Sequence, residues 1–277
     1  MPVEHNPTIY DTLLAARQRI DPLDAHVLLG EVLGVDRAYL LAHPEAPLTP
    51  EQAERFVGLV ARCADGEPVA YLLGRRAFYD RDFLVTPDVL IPRPETELLL
   101  EQALAWAGDR AIAAADVGTG SGALAVTLAA NRPQARVYAT DISPAALAVA
   151  RKNAERSSVG VTFYEGDLLA PLIEHSIRLD LIMANLPYIA SDELASLAVS
   201  RHEPRLALDG GADGLDLIRR LLAQIPGAIN PGALVLLEIG AGQGAAALAL
   251  VRETLRPQRA ELILDYAGLD RIIRAEC

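Results

Sequence analysis

Leu181-Ile182-Met183-Ala184-Asn185-Leu186-Pro187-Tyr188 is the stretch on which the reading of this chain turns. Its apolar run reads as a buried strand, and Asn-x-Pro-Tyr ends that strand with an amide, a rigid turn and an aromatic ring. In an open α/β sheet, the carboxyl edge of the strands is where ligands bind. Upstream, Asp116-Val117-Gly118-Thr119-Gly120-Ser121-Gly122 follows another apolar run. The two motifs read as a cofactor loop and a substrate clamp facing one crevice.

From about residue 110 the pattern alternates β–α–β–α. Strands are expected at 112–117, 136–140, 161–165, 180–184, 233–239, 259–265 and 270–275, with helices at 122–131, 144–156, 212–226 and 243–255. Such alternation implies a mainly parallel sheet with helices on both faces. Tyr266-Ala267-Gly268-Leu269 is too short for a right-handed helical crossover, so the last two strands pair as a terminal antiparallel hairpin. This region resembles the class I methyltransferase fold, a Rossmann-like α/β architecture with a seven-stranded sheet.

Residues 8 to about 66 read as helical throughout, a small N-terminal bundle. Leu13, Leu14 and Ala16 begin one apolar face. Asp21-Pro22 opens a helix carrying Ala25, Leu28, Leu29, Val32 and Leu33, and Gly34 ends it. Thr49-Pro50-Glu51-Gln52 opens another, with Thr49 as N-cap, Pro50 at N1 and Gln52 in the capping-box position. Next, Phe78, Phe83, Val85, Val89 and Ile91 suggest short strands punctuated by Pro87, Pro92 and Pro94. Pro94-Glu95-Thr96-Glu97 then starts a helix with acids suited to its dipole. The expected organisation is a helical substrate-docking domain over 1–75, a β-hairpin-like linker over 76–95 and a methyltransferase domain over 96–277.

With 277 residues and 51% hydrophobic content, the chain can bury one large core and a smaller one. The net charge of −12 opposes a phosphate backbone unless basic groups cluster. The arginines are scattered and Lys152 is the only lysine, so direct nucleic-acid binding is not expected. Cys63 and Cys277 stand far apart, and the histidines lack ligand spacing, so neither a disulfide framework nor a metal is expected. Met1-Pro2-Val3-Glu4-His5-Asn6 lacks a basic n-region and an apolar h-region, and no run is long enough to span a bilayer. The expectation is a reduced, cytoplasmic protein without a membrane partner.

In the first motif, Gly118, Gly120 and Gly122 allow a sharp turn and a close ligand approach, with Thr119 and Ser121 between them. The following helix offers free N–H groups. Asp116 suits a cationic amino-acid group. Asp141 ends the next strand, about 20 residues on, where ribose hydroxyls bind in dinucleotide folds. Asp167 closes the third strand toward an adenine amino group, with Leu168 against the ring. Taken alone, the loop is equally a ligand-free βα turn, and Gly118-x-Gly120-x-x-Ala123 also satisfies the relaxed NAD pattern. A second loop, Gly240-Ala241-Gly242-Gln243-Gly244, follows residues 234–239, and Asp265 ends the strand after it. Order decides between them. Asp141, Asp167 and Asn185 follow the first loop at successive strand ends, whereas only a hairpin follows the second. The cofactor, S-adenosyl-L-methionine, is therefore assigned to the first loop, and the second is read as a structural turn.

At the acceptor motif, the Asn185 side-chain oxygen and the Leu186 carbonyl can accept both hydrogens of a planar –NH2 group. Pro187 fixes the turn and Tyr188 can stack on the plane. An amide nitrogen is a poor nucleophile because its lone pair is delocalised. Hydrogen bonds donated to two acceptors partly restore that lone pair, and alignment with a sulfonium methyl group supplies the other contribution. No strong base is apparent near the motif. An isolated Asn-x-Pro-Tyr would read as a turn cap with a core aromatic. After a fourth strand downstream of a cofactor loop, it reads as the site of methyl transfer to nitrogen.

Asp/Asn-Pro-Pro-Tyr after the fourth strand marks amino-methyltransferases acting on adenine, guanine or glutamine, and residues 185–188 resemble it with Leu186 in place of the first proline. Val89-Leu90-Ile91-Pro92-Arg93-Pro94-Glu95-Thr96-Glu97 resembles the linker signature of protein-(glutamine) methyltransferases. Glu203-Pro204-Arg205-Leu206-Ala207-Leu208-Asp209-Gly210-Gly211 resembles their stretch after the acceptor motif, and Asp24-Ala25-His26-Val27-Leu28-Leu29 resembles their N-terminal helical domain. Over nearly its whole length the chain resembles the release-factor glutamine methyltransferases, the PrmC/HemK family. That resemblance implies S-adenosyl-L-methionine-dependent methylation of the glutamine amide in the Gly-Gly-Gln loop of class I peptide chain release factors. Leu186 keeps the backbone carbonyl but gives up the fixed φ of proline, worth ~0.4–1 kcal/mol. Arg93 and Glu95 are either a helix-start pair or part of the cofactor mouth, and His202 and Glu203 read as structural. The alternatives are a glutamine methyltransferase of a ribosomal protein, an adenine amino-methyltransferase for DNA or RNA, and a binding module that has kept the fold.

Overall fold

The computed structural model describes residues 6–197 and 201–277. The opening residues 1–5, on which the absence of a leader was read, lie outside the described residues. The chain divides into two compact units, Met1–Gly74 and Arg75–Cys277. No helix among the described residues is long and apolar enough to cross a membrane.

The first unit holds α1 (Ile9–Ala16), α2 (Pro22–Leu33), α3 (Arg37–Ala42), α4 (Pro50–Ala64) and α5 (Val69–Leu73). Local chemistry sets their ends. Thr8 with Asp11, and Thr49 with Gln52, form reciprocal capping boxes. Asp21 caps α2 by accepting from the Leu23 N–H, and Gly34 closes that helix with φ 70°. Ile9, Leu13, Leu28, Leu29, Leu40 and Phe56 are buried together. The expected continuous helicity is broken by turns between these elements, and α5 carries the helical unit past residue 66. Leu14 does not join the apolar face. It is 45% exposed, because the buried stripe runs through Ile9, Leu13 and Ala16 at helical spacing.

The second unit opens with an antiparallel hairpin of β1 (Arg75–Phe78) and β2 (Arg81–Leu84), whose Phe78 and Phe83 rings meet edge-on at 6.0 Å. The strands expected around Val85, Val89 and Ile91 do not form. Their side chains are buried, but Pro87, Pro92 and Pro94 remove the donors a ladder would need. The chain runs irregularly into α6 (Thr96–Ala107).

β3 (Ala113–Val117), β4 (Arg136–Asp141), β5 (Val161–Glu165), β6 (Leu179–Ala184), β7 (Ile229–Glu238), β8 (Arg259–Leu264) and β9 (Asp270–Glu276) form one sheet in the order β5-β4-β3-β6-β7-β9-β8. Only β9 runs antiparallel to its neighbours, as the short last connection requires. Between strands lie α7 (Ala123–Asn131), α8 (Pro144–Arg156), α9 (Ala170–Glu174), α10 (Ser191–Leu194), α11 (Asp216–Gln224) and α12 (Gly244–Leu255). This is the seven-stranded class I arrangement the sequence implied. β7 starts at Ile229, earlier than expected, and α11 at Asp216, later than expected. The chain reverses its direction of travel across the sheet between β3 and β6, which opens a crevice at the carboxyl ends of the strands.

The two faces of the sheet alternate with the strand period. Ala114, Met183, Leu236 and Ile272 belong to one core, and Ala115, Ile182, Leu237 and Ile273 to the other. By that alternation Asp116, Asn185 and Glu238 end three adjacent parallel strands on the first face, the one that α6 and α7 cover.

Candidate active site

β3 feeds the glycine loop into α7. Gly118, Gly120 and Gly122 have φ of 73°, 53° and 83°, a region that other residues rarely adopt. The Gly118 and Thr119 N–H groups donate to the Thr140 carbonyl at 2.9 and 3.0 Å. A Cβ on Gly118 would lie 2.9 Å from Leu186 Cδ2, and one on Gly122 would lie 3.1 Å from Ala150 Cβ. A Cβ on Gly120 would meet nothing within 4 Å, so the loop is packed on its flanks and open at its middle.

Asn153 on α8, which the sequence reading missed, anchors this loop. Its buried amide donates to the Ser121 carbonyl at 2.8 Å and the Leu84 carbonyl at 2.9 Å, and accepts from the Leu84 N–H at 2.7 Å. The available signal was an asparagine on the helix face that carries Ala146, Ala150 and Ala154.

The three aspartates are all partly engaged already. Asp116 is 2% exposed, and its Oδ2 accepts from Thr119 Oγ1 at 2.6 Å and the Ala125 N–H at 3.1 Å. Burial pushes its carboxyl up to about 6, against those two hydrogen bonds. Asp141 accepts from the Ser143 N–H and the Gly120 N–H, each at 2.9 Å, and burial raises its pKa as well. Asp167 pairs with Arg220 of α11 at 2.6 Å, a partner the sequence did not suggest. Leu168 beside it is buried and holds φ 53°.

One solvent-open cleft brings most of the expected residues together. Asp116, Gly118, Thr119, Gly120, Ser121, Asp141, Asp167 and Leu168 line it, and so do Asn185, Leu186 and Pro187. Gly122 and Tyr188 are not in the lining. Gly122 faces α8 instead.

Asn185 Nδ2 donates to Thr96 Oγ1 at 3.0 Å, which leaves the amide oxygen able to accept from another donor. Tyr188 is held by the second glycine loop. Its carbonyl accepts from Gln243 Nε2 at 3.0 Å, while Gln243 Oε1 accepts from the Gly240 N–H at 2.8 Å. A Cβ on Gly240 would sit 3.2 Å from the Tyr188 ring. Gly210 is as restricted, since its Cβ would lie 2.7 Å from the Pro187 carbonyl oxygen. The second loop thus supports the turn at Tyr188 through Gln243.

Glu203 is structural too. Its buried carboxylate accepts from the Ile91 N–H at 3.0 Å and pairs with Arg93. This joins the segment before α6 to the segment after the acceptor motif, and Val89, Pro92, Arg93, Pro204 and Leu206 from the two segments border the cleft. Arg93 therefore does help to shape the mouth, whereas Glu95 is not in the lining.

The sequence shows no strong base near the acceptor motif, and the structure adds a buried carboxyl there. Glu238 ends β7 on the same face as Asn185 and is 1% exposed. Burial pushes its carboxyl up to about 7, opposed by Thr96, Arg271 and Asn185. Neither oxygen has a hydrogen bond of ordinary geometry among the described residues. A charge at the end of the run Leu234-Val235-Leu236-Leu237 was the signal for it.

Residues 9–74 match the family model of the PrmC N-terminal domain, and residues 94–202 match that of the methyltransferase small domain. The release factor glutamine methyltransferase of Moorella thermoacetica is 47% identical over 257 residues, covering 91% of this chain and 90% of the relative. That of Xylella fastidiosa is 43% identical over 276 residues, covering 98% of each. Among solved structures, the 16S rRNA N2 G1207 methyltransferase of T. thermophilus superimposes with a TM-score of 0.54 at 21% identity, over 73% of this chain and 50% of that one. That likeness concerns the fold alone. Near-full-length identity of this order, on a seven-stranded methyltransferase sheet, means that the chain belongs to the release factor glutamine methyltransferase family and is a glutamine methyltransferase.

Proposed function

We propose that this enzyme transfers the methyl group of S-adenosyl-L-methionine to the side-chain amide nitrogen of the glutamine in the Gly-Gly-Gln loop of class I peptide chain release factors. The observation that carries the reading is a single cleft joining the glycine loop, Asp141 and Asp167 to the acceptor turn at Asn185 and Leu186. The residues fit the cofactor. The open middle of the loop at Gly120 admits a ligand against the backbone, and the acidic pair Asp116 and Asp141 suits a cation. Asp141 would hold the ribose, Asp167 and Leu168 the adenine, and Asp116 with Gly118, Thr119 and Ser121 the amino-acid end. When bound, the cofactor supplies an electrophilic methyl group on a sulfonium sulfur.

The protein's own contribution is to the acceptor. Asn185 Oδ1 and the Leu186 carbonyl each take one N–H of the glutamine amide, so its nitrogen presents its face and not its hydrogens. Both bonds strengthen as positive charge develops on that nitrogen, which makes them worth more in the transition state than in the bound substrate. Pro187 fixes the turn that aims the carbonyl. The Tyr188 carbonyl, held by Gln243 Nε2, helps to keep the shape of the turn.

The helical unit is proposed to dock the body of the release factor, in the cytoplasm where that substrate resides. It contains a groove lined by Tyr10, Leu14, Arg17 and Leu41, with Tyr10 57% and Leu41 60% exposed. The net charge of −12 disfavours the nucleic-acid alternative. Mass spectrometry of the loop peptide, after incubating intact release factor with labelled cofactor, tests the reading. One added methyl group on the glutamine is expected. An unmodified glutamine would overturn it, and label transferred to plasmid DNA would favour the adenine reading.

A further inference from the structure

We propose that Glu238 is the positioning residue of the acceptor site, acting with Thr96 to hold the Asn185 amide so that its oxygen, and not its NH2 group, faces the methyl acceptor. The inference rests on the glutamine-methylation reading and deepens it. The register places the two groups together. β6 and β7 pair in parallel through Ala184 and Leu237, so Asn185 and Glu238 are the next residues outward at the same edge and on the same face. Thr96, 5% exposed at the start of α6, closes the triangle by accepting from Asn185 Nδ2 at 3.0 Å. A hydroxyl that accepts still has its own proton to give, and a carboxylate can only accept.

An asparagine side chain has nearly the same shape in either flip, so shape alone does not choose between them. Charge does. An ionised Glu238 attracts the NH2 end of Asn185 and repels the oxygen end, which turns Oδ1 into the cleft. The reverse flip would set donors against the donors of the substrate amide and block binding in the reactive pose. A proton on Glu238 makes it a donor and removes the discrimination.

Glu238 has no other evident employment. The groups facing it are Arg271 from β9, Glu95 and Thr96 at the start of α6, and Asn185 and Tyr188 after β6. Arg271 is itself taken by Asp265 at 3.0 Å and by the Ile239 carbonyl at 3.3 Å, so it does not form a closed pair with Glu238. A carboxylate buried without full partners is costly to keep. The carboxyl titrating near 7 keeps both protonation states within reach.

The test is single-turnover methyl transfer to intact release factor from about pH 6 to about pH 9, with cofactor affinity measured alongside. The wild-type rate should rise through about 7, where Glu238 ionises. Glu238→Gln should slow the step by about 10²-fold, flatten that limb, and leave cofactor affinity within about twofold. Thr96→Ser should keep the rate, while Thr96→Val should lose about tenfold. The Thr96 pair and the wild-type pH profile decide the matter should Glu238→Gln fail to fold. A Glu238→Gln rate and pH profile like the wild type, or equal rates for Thr96→Ser and Thr96→Val, would overturn this proposal alone. A wild-type enzyme inactive on release factor would overturn the substrate reading and this proposal with it.

Discussion

Asn185→Ala removes an acceptor and little packing, since the side chain is only half-buried and donates to Thr96. Methyl transfer should fall by about 10²–10³-fold, the loss typical of one preorganised acceptor or donor. The melting temperature should barely move, and single-turnover kinetics beside a thermal melt would show both. Leu186 is a different case. As sequence it was only a proline replaced, with the carbonyl kept. In the structure its side chain is buried against Gly118 and helps to seat the glycine loop. Leu186→Pro should therefore keep the chemistry while losing about 1–3 kcal/mol of stability to the vacated space, less the ~0.4–1 kcal/mol that a fixed φ returns. A variant that melted above wild type would contradict this. Asp141→Ala should weaken cofactor binding by tenfold or more, since hydrogen bonds to charged groups contribute roughly 1.5–3 kcal/mol. Part of that loss comes through Gly120, whose N–H it holds. Asp265→Ala is the control. Asp265 ties down the hairpin turn at Ala267 and Leu269 and pairs with Arg271, so stability should drop while calorimetric affinity stays.

The elements that were legible are those whose pattern is local. Parallel strands buried on both faces appear as continuous apolar runs, and capped helices appear as Thr-Pro-Glu-Gln or Asp-Pro starts with a glycine stop. What stayed hidden is long-range. Glu203 reaches the Ile91 N–H across 112 positions, Asn153 reaches Leu84 across 69, and Gln243 reaches Tyr188 across 55. No periodicity encodes such pairs. The early start of β7 was hidden as well, because Asn230-Pro231-Gly232 reads as a turn although Ile229 pairs with Leu179. For the site, the aspartates and the acceptor turn were legible by strand order. Their present partners, and Glu238, were not. Asn153 makes the point testable, because it links the β1–β2 hairpin, α8 and the glycine loop. Asn153→Ala strands the Leu84 N–H and two carbonyls in a buried place, and each stranded group costs roughly 1–3 kcal/mol. A loss of at least ~2 kcal/mol in urea unfolding is expected, with weaker cofactor binding. A melt and an affinity both like wild type would mean that the loop needs no such anchor.

Across the whole molecule, burial works against the ionised form of several carboxylates, and most strongly against Asp116 and Glu238. Asp116 titrates at about 6 and Glu238 at about 7, both above their ordinary values, so the native state binds their protons more tightly than the unfolded chain does. Their contribution is complete below the unfolded values and is lost as pH rises through about 6 and about 7. A tenfold difference in proton affinity between the native and unfolded states is worth about 1.4 kcal/mol. The ligand-free enzyme should therefore unfold at lower urea near pH 8 than near pH 5.5, and Glu238→Gln should flatten that slope. A wild-type midpoint that does not change with pH would refute the burial argument. If the substrate is the proposed release factor, a small cleft must select one glutamine of a large protein. The reacting amide offers little area, and affinity for a protein substrate needs a wider surface with a few anchoring side chains. The helical unit has the apolar means, with Tyr10 and Leu41 standing out at a groove. Because Leu41 is exposed, Leu41→Asp should leave stability within about 0.5 kcal/mol. It should raise KM for intact release factor about tenfold, leaving kcat and turnover of an isolated loop peptide unchanged. That split separates docking from chemistry. An unchanged KM for the intact factor would remove the groove from recognition, and a fall in peptide turnover would place Leu41 in the machinery of the reaction.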